Sequence, residues 1–344
     1  MKIATLQFWP RVGQVEKNIQ RANCVLERYG WGSSAIDWLI LPEMAFSGYN
    51  FPSLEAILSY AERPRSGPTY NWASSQACRL NCLVTVGYPE MEPPENESTP
   101  PRYFNSTMTV DPSGTIVATY RKSFLYYTDE TWAQEGSGFF FADDFAGHAG
   151  LSVAHGICMD INPYRFERPW TDYEFATHVL EKKANVVVLS MAWLTNHHPS
   201  CVWRGRKKPE LDTVSYWIER FRPLIAAKNE PVTVVFANRC GQEGKAVYAG
   251  SSCVMRIANG GIMIYKIAPK LQEGCIMVDL DKLCSCSDES HEHEIPESIL
   301  QLIEGAEDHP MTQCPENLLG MSYENAMGES DDPLLDDSWP SSET

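Results

Sequence analysis

The sequence predicts an α/β fold in which two mixed β-sheets pack against each other and helices cover their outer faces. Short apolar runs typical of buried strands alternate along the chain with segments whose apolar residues recur at helical spacing. Turn signals at residues 111–114 and 259–261 join neighbouring strands, so hairpins are mixed with βα units. This mixture disfavours a single doubly wound parallel sheet, whereas two packed mixed sheets would bury every apolar run.

The chain begins with an alternating strand over 3–8 and a helix with apolar residues at helical spacing from Val15 to Tyr29. The elements predicted next are a buried strand at 38–41, a helix over 72–81, a strand at 83–87 and a hairpin whose second strand, 115–120, leads into Lys122. The second half is predicted to contain strands at 151–157, 186–189, 232–237 and 275–280, helices over 173–184 and 214–228, and a hairpin of 252–257 with 262–267.

The net charge of −17 is unevenly distributed over the 344 residues. Residues 284–344 contain sixteen of the 45 acidic side chains and none of the 28 basic ones, so residues 1–283 are close to neutral. We therefore expect a folded domain over 1–283 and an acidic C-terminal extension over 284–344 that is largely disordered. The one dense basic cluster, 204–208, is short and is interpreted as a solvated loop, so no nucleic-acid partner is expected.

The eleven cysteines form no regular framework, and residues 1–8 are typical of a strand rather than a signal peptide. No apolar run approaches the ~18 residues of a membrane span. These observations predict an intracellular, reducing compartment, which we take to be the cytoplasm, and no membrane association. Motifs that begin at Asn96 and Asn105 match the N-glycosylation pattern, and without a secretory route they are interpreted as chance matches.

Three segments place one reactive side chain directly after a short apolar run: Glu43 in Leu-Pro-Glu-Met, Lys122 in Tyr-Arg-Lys-Ser and Cys158 in Gly-Ile-Cys-Met-Asp. A thiol can attack a carbonyl carbon, a carboxylate can remove the proton of the thiol, and an ammonium can stabilise the developing oxyanion. A carboxylate at the tip of a buried strand is also partly desolvated, which raises its pKa and makes it a better base. The set is what a cysteine amidohydrolase requires.

Each of these residues has a structural alternative when it is taken alone. Cys158 could be one more buried cysteine, Glu43 a polar cap on a strand and Lys122 a surface lysine at a strand end. The functional interpretation depends on the three strand ends meeting in one cleft. The cysteines and histidines of 284–293 could form a metal site, but their spacing fits no usual zinc motif, so neither a metal nor another cofactor is expected.

The three segments resemble the nitrilase, or carbon–nitrogen hydrolase, superfamily, in which a glutamate, a lysine and a cysteine follow successive strands. Glu43, Lys122 and Cys158 match this pattern in order and local context, and the likeness spans about residues 1–280. The resemblance implies a nitrilase-like α-β-β-α sandwich of two mixed sheets with outer helices. It also implies that the three residues are catalytic and that the backbone N–H of Met159 helps to bind the oxyanion.

Many relatives carry a second glutamate that contacts both the lysine and the substrate. Glu130, eight residues beyond Lys122, is the better match, and Glu135 is the alternative. The segments 158–167 and 191–194 resemble the protein N-terminal amidase branch of the superfamily. Asn162 stands where many relatives have an arginine, which argues against substrates with a carboxylate and favours a cationic neighbouring group.

This branch implies an enzyme that deamidates N-terminal Asn or Gln of proteins or peptides to Asp or Glu, releases ammonia and acts in an N-degron pathway. The α-ammonium of the substrate is expected to meet Asp129 or Asp160, although Asp160 could equally orient the cysteine loop. Tyr126 and Trp193 are expected to line the cavity. The alternatives are hydrolysis of a small-molecule amide, nitrile or ureido compound, and a non-catalytic interaction protein acting through its acidic tail. The sequence leaves the oligomeric state open.

Overall fold

The computed structural model describes residues 1–284 except for 95, 97, 228 and 229. The strands within these residues are β1 (Lys2–Gln7), β2 (Trp38–Ile40), β3 (Leu83–Glu92), β4 (Arg102–Val110), β5 (Ile116–Arg121), β6 (Phe140–Ala142), β7 (Val153–Ile157), β8 (Val186–Met191), β9 (Val232–Asn238), β10 (Cys240–Glu243), β11 (Ala246–Ala249), β12 (Cys253–Ala258), β13 (Gly261–Ile267) and β14 (Gly274–Asp279). The α-helices are α1 (Val15–Glu27), α2 (Leu54–Ile57), α3 (Pro68–Leu80), α4 (Tyr127–Glu130), α5 (Glu174–Lys182), α6 (Pro199–Arg204), α7 (Leu211–Glu219), α8 (Arg222–Ala227) and α9 (Leu280–Cys284).

Twelve of these strands form two six-stranded mixed sheets, and β10 pairs with β11 in a separate hairpin. The first sheet has the order β14-β1-β2-β3-β4-β5, and the second has the order β13-β12-β9-β8-β7-β6. In each sheet three strands are parallel, β1, β2 and β3 in one and β7, β8 and β9 in the other, and the remaining pairs are antiparallel. The predicted mixture of βα units and hairpins is therefore confirmed.

Alternate residues of the strands face opposite sides, as strand geometry requires. Trp38 and Ile40 of β2 pack between the two sheets with Val188 of β8 and Val235 of β9. Leu39 points the other way, into the layer formed with α1 and α3, and the outer face of the second sheet packs on α5, α7 and α8. Each fully buried side chain of this size contributes roughly 1.5–3 kcal/mol. The chain thus forms the α-β-β-α sandwich that was predicted.

Helix α3 shows how local sequence sets the ends of an element. It begins at Pro68, whose missing N–H would have no partner in the first turn anyway. The carboxylate of Glu62 accepts a hydrogen bond from the N–H of Thr69 at 3.0 Å, which satisfies another donor of this turn. The helix ends where Asn81 adopts a left-handed conformation with φ of 51°.

The predicted helix over 214–228 is interrupted. Helix α7 ends at Glu219 and α8 begins at Arg222, one residue before Pro223. In a continuous helix the proline ring would clash with the carbonyl of Glu219, whereas the first turn of a new helix accepts proline. Lys228, the predicted end, lies outside the described residues. The hairpin of β10 and β11 was not predicted, because residues 240–249 show no apolar alternation.

Of the acidic extension predicted over 284–344, only residue 284 lies within the described part of the chain, and so does only that residue of the candidate metal cluster at 284–293. Within the described residues, no group of three or more potential metal ligands comes together. No helix in that part is long and apolar enough to cross a bilayer. The eight cysteines whose side chains the structure describes are free thiols.

Candidate active site

Glu43, Lys122 and Cys158 each follow a strand, and the structure brings their side chains to one end of the sandwich. Strand β2 leads to Glu43, and β7 leads to Cys158. Strand β5 runs in the same direction as β2 because β4 is antiparallel to both β3 and β5, so β5 delivers Lys122 to the same edge of its sheet. Nζ of Lys122 lies 2.7 Å from Oε1 of Glu43.

The loop that carries Glu43 lies directly against strand β3. The N–H of Leu41 donates to the carbonyl of Thr85 at 2.8 Å, and the N–H of Ala45 donates to the carbonyl of Gly87 at 3.0 Å. A Cβ atom on residue 87 would lie 2.7 Å from Cα of Glu43, closer than non-bonded atoms can approach. Glycine at this position is therefore what allows the loop to pass so close to the sheet.

The carboxylate of Glu43 is fully buried and accepts three hydrogen bonds. Oε1 accepts from Nζ of Lys122 and from Nδ2 of Asn105 at 2.6 Å. Oε2 accepts from the N–H of Ala192, just beyond β8, at 2.8 Å. Burial raises the pKa of Glu43, and the ammonium of Lys122 only partly opposes this effect. Glu43 is therefore a stronger base than an exposed carboxylate.

Lys122 is also fully buried, between two carboxylates. Its Nζ donates to Oδ2 of Asp129 at 2.5 Å as well as to Glu43. Burial by itself would lower the pKa of Lys122, but the charges of Asp129 and Glu43 raise it above its usual value. The side chain therefore stays an ammonium. Removal of one partner from a buried ion pair typically costs about 3–5 kcal/mol because the other charge is left unpaired, so loss of Glu43 or Asp129 alone should destabilise the fold.

The spacing predicted Glu130 as the second acidic residue beside Lys122. In the structure, Asp129 lies there instead. Asp129 is fully buried, and besides Lys122 it accepts hydrogen bonds from the hydroxyl of Tyr49 at 3.2 Å and the N–H of Tyr126 at 3.0 Å. Glu130 is exposed, with Oε1 3.7 Å from Nε of Arg165.

Helix α4 explains the exchange between Asp129 and Glu130. Neighbouring residues of a helix point about 100° apart, so only one of the two can face the lysine. Asp129 is the third residue of this short helix, and its carboxylate turns back to the N–H of Tyr126 in a capping box. Glu135, the other candidate, accepts a hydrogen bond from the hydroxyl of Tyr164 at 2.8 Å on the protein surface.

Cys158 lies at a sharp turn between β7 and a 3₁₀ turn over Cys158–Ile161. Its φ of 41° lies in the left-handed region, which costs a residue with a side chain roughly 1–2 kcal/mol. Such strain is typical of functional positions that the surrounding structure holds in place. The thiol lies beside Ala192, which follows β8, and the N–H of Ala192 acts on it.

Asp160 holds this turn in shape. Its carboxylate is fully buried and accepts hydrogen bonds from the N–H of Ile157 at 2.7 Å, the N–H of Phe124 at 2.8 Å and the hydroxyl of Tyr120 at 2.7 Å. Burial raises the pKa of Asp160 to about 6. Asp160 thus orients the cysteine loop, which was its alternative role, and does not face the cavity.

The thiol of Cys158 is neutral at rest. Burial raises its pKa well above the usual value, and the negative charge of Glu43 raises it further. The ammonium of Lys122 and the N–H of Ala192 act in the opposite direction and favour the thiolate. A neutral thiol needs a base at the moment of attack, and Glu43 is a carboxylate close enough to the thiol for its charge to raise the pKa of Cys158.

A cavity of about 470 Å³, including its mouth, opens beside Cys158. Its walls consist of aromatic, amide and apolar residues: Tyr49, Tyr126, Met159, Asn162, Phe166, Ala192, Trp193, Leu194 and Asn196. None of these described wall residues carries a formal charge. Neither Asp129 nor Asp160 lines this cavity, because both carboxylates are fully buried and bonded to protein donors, so contact of either one with a substrate ammonium stays a prediction.

Asn105 and Tyr49 are site residues that the sequence analysis missed. Asn105 bonds to Glu43 from the middle of a buried strand, where no local pattern marks it as functional. Tyr49 follows Glu43 in the Phe-Ser-Gly-Tyr loop, and that position near a reactive residue was a usable signal. Met159 lines the cavity next to Cys158, and the role of its N–H in binding an oxyanion stays a prediction.

Comparison with known proteins agrees with this geometry. The family model described as carbon–nitrogen hydrolase matches residues 2–162, a range that includes Glu43, Lys122 and Cys158. The protein N-terminal amidase of Schizosaccharomyces pombe is 30% identical over 295 residues, which span 82% of this chain and 100% of that protein. A crystal structure of an N-terminal amidase matches with a TM-score of 0.69 at 21% identity and covers 81% of this chain and 97% of that chain. A crystal structure of N-terminal amidase with an Asn-Glu-Ala peptide matches with the same TM-score, identity and coverage. By these matches, the chain belongs to the carbon–nitrogen hydrolase family.

Proposed function

We propose that the protein is a cysteine amidohydrolase that deamidates N-terminal Asn or Gln of proteins or peptides to Asp or Glu. The observation that carries the proposal is the buried ammonium of Lys122, bonded to both Glu43 and Asp129, beside a thiol on a strained turn. As a family member the protein is a hydrolase of carbon–nitrogen bonds other than peptide bonds. The finer assignment concerns which amide is cleaved.

In the first half-reaction, Glu43 removes the proton from Sγ of Cys158 while the sulfur attacks the side-chain amide carbon of the substrate. The ammonium of Lys122 and the N–H of Met159 stabilise the oxyanion, and one such donor is commonly worth about 3 kcal/mol of barrier. Glu43 then gives the proton to the amide nitrogen. Ammonia departs, and a thioester remains on Cys158.

In the second half-reaction, Glu43 removes a proton from a water molecule, and the resulting hydroxide attacks the thioester carbon. The same donors stabilise the second oxyanion. When the carbon–sulfur bond breaks, Cys158 recovers a proton from Glu43, and the peptide leaves with Asp or Glu at its start. Asp129 keeps Lys122 charged and in place throughout.

The neutral cavity wall suits a substrate whose reactive amide is next to an ammonium. We assign the α-ammonium to the aromatic faces of Tyr126 and Trp193, since a cation over such a face gains about 0.5–2 kcal/mol. The amide oxygens of Asn162 and Asn196 are further acceptors in the wall. A substrate carboxylate would meet no cation among the described wall residues, which disfavours N-carbamoyl amino acids and similar acids.

The relatives support peptides as the substrate class. The Schizosaccharomyces pombe relative is named protein N-terminal amidase, and structural neighbours contain Asn-Glu-Ala and Gln-Val peptides. We further propose that residues 1–283 form the hydrolase domain, that the protein acts in the cytoplasm, and that its acidic products enter an N-degron pathway. The free thiols of the described residues support a reducing compartment.

Mass spectrometry of a peptide panel tests the proposal. Peptides that begin with Asn or Gln should gain about 1 Da and release one ammonia, because an amide becomes an acid. The same peptides acetylated at the N-terminus should resist, since the ammonium is gone. A Cys158→Ser variant supplies the blank. Turnover of free small amides with none of the peptides would instead assign the protein to small-molecule hydrolysis.

A further inference from the structure

We infer that Asn105 is a positioning residue that holds the carboxylate of Glu43 in its ionised form beside Lys122, an inference that rests on the proposed function. Asn105 lies in β4 and its side chain is fully buried. Its Nδ2 donates to Oε1 of Glu43 at 2.6 Å and to Oδ1 of Asp129 at 2.9 Å. Its backbone carbonyl also accepts from the N–H of Lys122 at 2.8 Å. One residue thus contacts all three members of the charged cluster.

The chemistry of the cluster fixes the orientation of this amide. Both N–H groups of Asn105 point at carboxylate oxygens, and its Oδ1 has no hydrogen-bond partner among the described residues. The reversed orientation would place Oδ1 against two carboxylates, which are acceptors only. A buried acceptor without a partner costs about 1–3 kcal/mol. The fold tolerates this cost where it gains two donors to the carboxylates.

The two donors carry no charge, and this property matters because the cluster is already anionic. Glu43 and Asp129 supply two negative charges against the single positive charge of Lys122. The charge of Glu43 also acts on the thiol of Cys158 and on the hydroxyls of Tyr49 and Tyr248, whose pKa values it raises. A second cation at this position would compete with Lys122 for the carboxylates. The neutral N–H groups of Asn105 stabilise the carboxylate of Glu43 without doing so.

The glycosylation-like triplet at 105–107 has a structural explanation. Asn105, Ser106 and Thr107 are all buried in β4, so the folded chain cannot present Asn105 to a modifying enzyme. Ser106 faces the opposite side of the sheet, where its hydroxyl donates to Oε2 of Glu90 at 2.7 Å. The burial agrees with the interpretation of this triplet as a chance match to the glycosylation pattern.

The test is the pH dependence of kcat/KM for an Asn-initiated peptide. Activity needs Glu43 ionised, so it falls as the pH drops through the pKa of Glu43. The hydrogen bond from Asn105 lowers that pKa. In Asn105→Leu, a substitution of similar size, the acidic limb should move up by about one pH unit, which is roughly a tenfold loss at any pH on that limb. Asn105→Asp, which adds a third carboxyl, should move the limb further in the same direction.

Thr109→Val is the matched control. Thr109 lies on the same face of β4, is buried, and hydrogen-bonds to Thr85 at 2.8 Å without touching the cluster. Loss of this hydrogen bond should lower the melting temperature and leave the acidic limb of the kcat/KM profile in place. If Asn105→Leu fails to fold, Asn105→Asp gives the same reading. An acidic limb that stays fixed in the folded Asn105 variants overturns the inference and leaves Asn105 a structural residue.

Failure of the proposed function would be visible separately. If the unmodified chain releases no ammonia from any peptide, the peptide assignment fails while the positioning role is still measurable. Iodoacetamide alkylates Cys158, and peptide mass mapping gives the rate of this reaction at each pH. The dependence of the rate on pH reports the coupled titration of the thiol and Glu43. Its midpoint should shift in Asn105→Leu and not in Thr109→Val. Equal midpoints in the two variants would overturn the inference.

Discussion

The charged cluster and the cavity wall adjoin at Cys158 and have opposite chemistry. Glu43, Lys122 and Asp129 are charged and 0% exposed, behind the thiol. The wall, with Tyr126 and Trp193, is neutral, aromatic and open to a substrate. Under the proposed function, this difference separates the charged groups that would act in the reaction from the ammonium that the substrate would carry. An ammonium in the cavity therefore cannot compete with Lys122 for the two carboxylates.

The largest expected effect comes from removing the base. Glu43→Gln preserves the shape of the side chain but cannot accept the proton of Cys158, so kcat should fall about 10³-fold. Glu62→Gln is the matched control. Glu62 is another buried glutamate, but its carboxylate is bonded to Thr69 and not to the charged cluster. Steady-state ammonia release measures both variants. Comparable losses in the two would show that burial of a glutamate, and not its place beside Cys158, matters.

A neighbouring pair separates the cluster from the protein surface. Asp129→Asn removes the second anion that holds Lys122 and should lower kcat by about 10²-fold. Glu130→Gln changes the adjacent exposed residue, and its kcat and KM should stay within about twofold of the parent. The same peptide assay compares them. A large loss in Glu130→Gln with little change in Asp129→Asn would restore the spacing-based prediction of Glu130 as the second acid.

The wall should affect binding more than chemistry. Trp193→Leu removes an aromatic face of the cavity, so KM for peptides with a free N-terminus should rise about tenfold while kcat changes little. Asn238, whose Oδ1 accepts from the N–H of Trp193 at 2.8 Å, keeps the backbone there in place. A fall in kcat with unchanged KM would contradict the division between wall and cluster.

Glu62 lies outside the site and offers a comparison for Glu43. It shows how burial changes the pKa of a carboxyl group that is bonded only to neutral donors. Burial raises its pKa from 4.5 to about 7. Its contribution to stability is therefore complete below pH 4.5 and is lost as the pH rises through 7, a change of about 3 kcal/mol. Urea unfolding at pH 5 and pH 8 should show that Glu62→Gln flattens this pH dependence. An unchanged slope would contradict the assigned pKa.

Much of the scaffold was predictable because strand ends are local features. Glu43, Lys122 and Cys158 each follow an apolar run, and sheet topology then brings such ends to one edge. The break between α7 and α8 was also readable in principle, since Pro223 cannot occupy the interior of a helix. The hairpin of β10 and β11 was not, because its strands are built from residues without alternation.

The polar residues of the site were harder to predict because their roles depend on direction and not on spacing. Asp129 and Glu130 are adjacent in sequence, and only the capping geometry of α4 decides which carboxylate faces Lys122. Asp160 was open between two roles until its hydrogen bonds to Ile157 and Phe124 were seen. Tertiary contacts of this kind leave no trace in a single sequence.

Gly87 has a consequence for how inactivating substitutions should be sought. It has no functional group, yet any side chain at this position would displace the loop that carries Glu43. The position of the Glu43 side chain therefore depends on residue 87 of the neighbouring strand β3 having no side chain. Surveys restricted to titratable or polar positions would overlook this glycine.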